Sequence, residues 1–159
     1  MDKENIANYV GNVVNGVIDG RKPLNRVVIL IDSDTEKKEV LSCIDTTLNQ
    51  SLPSLSIIVL RIDLSTIMSA SELSEIIKKK ALACQDEVEE TGKYGLFVFD
   101  NLDQANEDVL NCVKGMYHDG RNCRMPSGWE FISFCKHNAK IWDASFKIST
   151  VILEYNKEV

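Results

Sequence analysis

The sequence predicts an α/β fold of three layers, a mostly parallel sheet with helices on both faces. Apolar periodicity alternates along the chain between helix-like spacing and short continuous runs, in the order α, β, α, β, α, β, α, an irregular piece, then β. The runs are apolar throughout, as in Val27-Val28-Ile29-Leu30-Ile31, instead of alternating with polar residues. That pattern belongs to strands covered on both sides. Composition agrees: 159 residues, 44% hydrophobic and 26% charged, with three Pro and eight Gly, describe an ordinary globular chain able to bury a core without metal or disulfide. One domain, 1–159, is expected.

Each element follows from its residues. Ile6, Val10, Val13, Val14 and Val17 recur at helical spacing and predict a lead helix within residues 1–21, ended by Gly20 and Pro23. Arg26 to Ile31 is the first strand. Val40, Leu41, Ile44 and Leu48 mark one face of the next helix, and Ile57 to Ile62 reads as the second strand. Leu73, Ile76, Ile77 and Leu82 predict a further helix, and Leu96 to Phe99 the third strand. Val109, Leu110, Val113 and Met116 then share a helical face that stops at Asp119-Gly120. Residues 127–146 hold Trp129, Phe131, Phe134, Trp142 and Phe146 without clear period and read as an aromatic-rich insertion; Ile148 to Leu153 reads as the last strand.

Charge narrows the function. Eighteen Lys+Arg against 24 Asp+Glu give a net charge of -6, the wrong sign for neutralising phosphates along nucleic acid. The longest apolar runs, near five residues, are far short of the ~20 that span a bilayer.

In parallel α/β sheets ligands bind beyond the carboxyl ends of the strands, so chemistry is sought there. The third strand ends Leu96-Phe97-Val98-Phe99-Asp100-Asn101-Leu102-Asp103, which looks like a Walker B box. A strand-end Asp can hold a hydrated Mg²⁺ on a nucleotide, and a following Glu orients the attacking water. Here Asn101 stands in the Glu position, and an amide cannot accept that proton. The turn after the first strand, Asp32-Ser33-Asp34-Thr35-Glu36-Lys37-Lys38-Glu39, has no Gly to let backbone amides approach a phosphate. Only Lys37 or Lys38 keeps a phosphate-binding residue type. A strand-to-helix turn with Ser33 or Asp34 as N-cap and Glu36 in the first turn explains every residue there.

From Ile6 to Asn156 the layout resembles the Clp/torsin branch of AAA+ ATPases, whose large subdomain is a P-loop NTPase-like fold. The resemblance rests on the lead helix and Lys22-Pro23-Leu24, on Phe97 to Ala105 as the strand-three box, on the helix exit Asp119-Gly120-Arg121, and on Thr150 to Asn156 as a fourth strand ending in a sensor Asn. It implies Asp100, Asn101 and Asn156 as the catalytic candidates and Lys37, Lys38 and Asp100 as the remnant of a nucleotide site. It also implies that strand five and the small helical lid are missing. In the family's strand order, 5-1-4-3-2, that loss would leave Val27 to Ile31 as an uncovered edge. An AAA+ fold with a ruined nucleotide site and no lid is similar to the luminal cofactors that activate torsins, the lamina-associated polypeptide type. The function so implied is a non-hydrolysing module that binds a torsin- or Clp-type ATPase, or itself, with no cofactor. The alternative is an ATP-binding or ATP-hydrolysing chaperone using ATP and Mg²⁺ through a divergent loop. Arg121, Arg124, Trp129 and Trp142 are the partner-facing candidates. The resemblance implies the lumen of the endoplasmic reticulum or nuclear envelope, whereas the polar start Met1 to Asn5 would suit the cytoplasm if the chain were complete.

Cys112, His118, Cys123, Cys135 and His137 lie within one third of the chain but show no zinc-ligand spacing, so buried thiols or one disulfide are expected. Asn49-Gln50-Ser51 is a glycosylation sequon placed before Leu52-Pro53.

Overall fold

Val27 to Ile31 is the pivot of the sheet. The computed structural model describes residues 1–14, 26–51, 57–86, 94–118, 125–126, 129–137 and 150–156. Among them stand α1 (Lys3–Val14), β1 (Val27–Ile31), α2 (Asp34–Ser51), β2 (Ile57–Asp63), α3 (Ala70–Ala83), β3 (Tyr94–Asp100), α4 (Glu107–His118), β4 (Trp129–Lys136) and β5 (Val151–Glu154). The strands lie in the order β2-β3-β4-β1-β5 and every neighbouring pair is parallel.

The α/β class and the strand order are those expected, but the strand count is not. The fifth strand is present. β1 pairs with β4 on one side, Val28 opposite Ser133, and with β5 on the other, Val28 opposite Ile152, so it is no uncovered edge. The stretch expected as an insertion contains β4, at the centre of the sheet, and the expected fourth strand is the fifth. The misreading has a physical source. β4 is buried from Phe131 through Cys135, yet it carries Glu130 and Ser133, which break the apolar run that marks a doubly covered strand. The lead helix is described only to Val14.

Alternation along β1 separates two cores. Val27, Ile29 and Ile31 face α1 and α2, joining Ile6, Val10, Val40, Ile44 and Leu48. Val28 and Leu30 face α3 and α4, joining Leu73, Ile77, Val109 and Val113. On α3 the buried stripe continues to Ala81 at four-residue spacing, while Leu82 is 69% exposed, opposite to expectation.

The second core carries the large rings. Phe97 lies 4.9 Å from Trp129, and Phe99 stacks on Phe131 at the same centroid distance. Trp129 is 5% exposed, so this partner-facing candidate is a core residue. Its indole occupies the space over Gly95, its register partner on β3. A Cβ added at Gly95 would stand 2.4 Å from Trp129 Cδ2, so no side chain fits unless the ring moves. Gly95→Ala is therefore expected to destabilise the protein by ~1–3 kcal/mol, the usual range for overpacking. Urea unfolding measures it, and Trp129→Leu in the same background should recover part of the loss.

Candidate functional site

Because all five strands are parallel, their carboxyl ends gather on one rim. β1 passes into α2 through Asp32 and Ser33 alone. The Lys37 amide donates to the Ser33 carbonyl at 3.1 Å as the helix starts. Ser33 caps it: the Glu36 amide donates to Ser33 Oγ at 3.2 Å, and the Asp32 amide donates to Glu36 Oε1 at 2.9 Å. Two of the amides at this turn, those of Asp32 and Glu36, are thus taken by its own side chains.

One helical turn in, Lys37 turns inward. Its side chain is 8% exposed, with the ammonium 3.6 Å from Asp100 Oδ1 and 3.4 Å from Asp34 Oδ1. Asp100, at the end of β3, is 9% exposed in its side chain and accepts from Arg61 Nη2 through Oδ2 at 2.8 Å. Its Oδ1 is buried without a hydrogen bond. The result is a three-membered ion cluster, Lys37, Asp100 and Arg61, across α2, β3 and β2. Lys38, the neighbouring candidate, is exposed and does not join it.

Asn101 follows with φ 59° and ψ 45°, left-handed backbone that Asn tolerates better than most residues. Its amide donates to Asp63 Oδ1 at 2.9 Å. The same oxygen accepts from the Ser65 amide and hydroxyl. Partial burial pushes the Asp63 carboxyl up, but the bonds from Ser65 and Asn101 and the charge of Lys37 outweigh it and hold it below its ordinary value.

At the far side of the rim His137, just beyond β4, stands between two strands' ends. Nδ1 lies 2.6 Å from Asp32 Oδ1 and Nε2 3.2 Å from Glu154 Oε1. Both ring nitrogens thus face a carboxylate oxygen. Nearby, the Lys136 amide donates to Asp103 Oδ1, and the Tyr155 hydroxyl donates to Glu39 Oε2 at 2.9 Å. Burial and the adjacent Glu39 push the Tyr155 phenol up to about 12.

The structure thus brings Lys37, Asp100 and Asn101 together and leaves out Asn156. Asn156 follows β5, not β4, is exposed, and donates its amide to the Met1 carbonyl. The strand before it is the fifth, not the fourth at whose end a sensor Asn was expected. The place it was given, the end of β4, belongs to Lys136 and His137. Arg121, Arg124, Trp142, His118's side chain and Cys123 lie outside the described residues. Cys112 is disulfide-bonded, while Cys43, Cys84 and Cys135 are free. Among the described residues no group of three His, Cys, Asp or Glu is arranged to hold a metal ion.

Sequence reasoning missed Arg61 and Asp63, and it weighed His137 only as a zinc ligand, not as a partner of Asp32 and Glu154. An Arg inside the otherwise apolar Ile57–Asp63 and an acid at the strand's end were the visible signals for the first two. His137 had none, since its partner Asp32 is 105 residues away.

No protein-family model and no curated protein matches the sequence. Solved structures do match in shape. A chain of the HORMA:CdnC:Trip13 complex of E. coli MS115-1 aligns over 96% of this chain and 61% of that one, with TM-score 0.63 and 15% identity. C. elegans PCH-2 aligns over 96% and 42%, with TM-score 0.62 and 13% identity. The Thermotoga maritima RuvB Holliday junction branch migration motor aligns over 96% and 45%, with TM-score 0.58 and 10% identity. The fold is that of an AAA+ large subdomain. The chain spans about two fifths to three fifths of the AAA+ chains it matches.

In this AAA+-like frame, Lys37 and Asp100 face each other across the place between the first and third strand ends. Removing Asp100 leaves the buried Lys37 with only the exposed Asp34 beside it, whereas removing Lys37 leaves Asp100 paired with Arg61. Asp100→Ala is therefore expected to cost ~3–5 kcal/mol in chemical denaturation, and Lys37→Ala less. Arg61→Ala, with the side chain 47% exposed, should cost about 1 kcal/mol or less. The pH response has a fixed sign at Asp63. Its lowered carboxyl contributes stability that is complete above the unfolded group's titration and is lost as pH falls through the folded one. Asn101→Ala should flatten that acid limb of a stability-against-pH curve.

Proposed function

We propose that this chain is an AAA+-like module that does not hydrolyse ATP and acts by binding a protein. One observation carries the reading: Lys37 is spent internally on Asp100, one helical turn beyond a short turn in which Glu36 caps the Asp32 amide and Ser33 caps the Glu36 amide. A triphosphate with Mg²⁺ does not fit that arrangement. The turn lacks the glycines of a phosphate cradle, and Asp32, Asp34 and Glu36 would meet the phosphates with like charge. Asn101 supplies no carboxylate to orient water and is engaged with Asp63.

The partner we favour is an AAA+ ATPase of the torsin or Clp type. The chain's resemblance to the luminal torsin-activating cofactors, which pair with an active torsin, supports that choice. That a Trip13 chain of the same shape sits in a complex with HORMA and CdnC proteins is consistent with work through protein contacts. The second reading, an ATP-binding chaperone, draws on the unbonded Asp100 Oδ1 and the closeness of Lys37. It requires opening the ion cluster and uncapping α2.

Calorimetric titration with MgATP separates the two. The expected outcome is no saturable heat at millimolar nucleotide and no phosphate release above background. A thermal stabilisation of several degrees that Asp100→Asn abolishes would establish the second reading, since a ligand at a hundred times its Kd stabilises by about 2.7 kcal/mol. Mixed with a torsin-type ATPase trapped in its ATP state, the chain should co-elute, and nucleotide removal should release it.

A further inference from the structure

We infer that Asn49 carries an N-linked glycan and that the chain works in an oxidising, glycosylating compartment. The sequon Asn49-Gln50-Ser51 has no Pro to block it, and its surroundings in the fold leave it open. It closes α2, whose buried stripe is Val40, Ile44 and Leu48. Asn49 and Gln50 follow Leu48 on the side turned from the core, and both are exposed. A glycan on the Asn49 amide displaces no packed group.

The compartment has independent support. Cys112 on α4 is disulfide-bonded, in a chain that needs no such link to build its core. Disulfides persist in secretory and extracellular spaces and are rare in the reducing cytosol. Sequon and disulfide lie on different helices and opposite faces of the sheet, so neither observation leans on the other.

In the reaction the Asn49 amide nitrogen forms a bond to the anomeric carbon of a lipid-pyrophosphate-linked oligosaccharide. The carbon–oxygen bond to pyrophosphate breaks, the lipid pyrophosphate leaves with the bonding pair, and the amide gives up one proton. Position also assigns a consequence. Asn49 lies twelve residues along α2 from Lys37, ~18 Å at helical rise. The glycan therefore stands at the opposite end of the helix from the ionic rim, leaving that rim free for a protein neighbour.

Two measurements test the inference without relying on the proposed function. The chain is translated behind a cleavable signal sequence with microsomes, and the protease-protected product is examined. One upward mobility step is expected, removed by peptide-N-glycosidase, absent in Asn49→Gln and in Ser51→Ala, and kept in Ser51→Thr. A protected but unshifted product overturns the site. Protein isolated from its own cells is then deglycosylated in heavy-oxygen water without prior reduction. Labelled Asp at position 49, in a chain whose Cys112 resists alkylation until reduced, is the expected result. Unlabelled Asn49, or a Cys112 that alkylates directly, overturns the inference.

Discussion

Parallel pairing of β1 on both edges is the constraint from which the rest of the molecule follows. With β4 on one side and β5 on the other, Val27 to Ile31 are at most 8% exposed, and no residue of the strand can be polar without an internal partner. Parallel strands also end together. That one geometric fact carries Asp32, Asp63, Asp100, His137 and Glu154 to the same rim, although they are scattered over the sequence. Antiparallel connection would have divided them between two edges.

A rim built this way is crowded with acids, and burial decides how each is accommodated. Asp100 is deep enough that water cannot screen it, so two cations, Lys37 and Arg61, converge on it. Asp32 and Glu154 are exposed and share a single imidazole, whose worth in stability is modest but whose reach spans three strand ends. Asp63 is held by hydrogen bonds from Ser65 and Asn101, with the charge of Lys37 acting on it as well.

Most of the fold was legible because its signal is local. The continuous run at β1, the apolar strand before Asp100 and the helical stripes of α2 and α4 each announce themselves within a few residues. β4 did not. Glu130 and the wholly buried Ser133 interrupt it, and its aromatic residues suit a loop insertion as readily as a strand until Gly95 is seen beneath Trp129. Once β4 was lost, the numbering of the last strand slipped by one, and Asn156 was set at the end of the fourth strand, where Lys136 and His137 stand. The site divided along the same line. Asp100, Lys37 and Asn101 are readable beside their strands, but the clamp at His137 depends on strand order, which no stretch of sequence contains.

Asn101 has an implication for how this chain can change. Its left-handed backbone is held by the turn after β3 and rewarded by the bond to Asp63. A glutamate in its place would incur roughly 1–2 kcal/mol of steric cost in that conformation and forfeit the bond. Regaining the glycines of a phosphate loop would, separately, strip the cap from α2. Neither step is useful without the other, and each alone is a loss. Each change toward those motif residues carries its own folding penalty, borne before the other is in place.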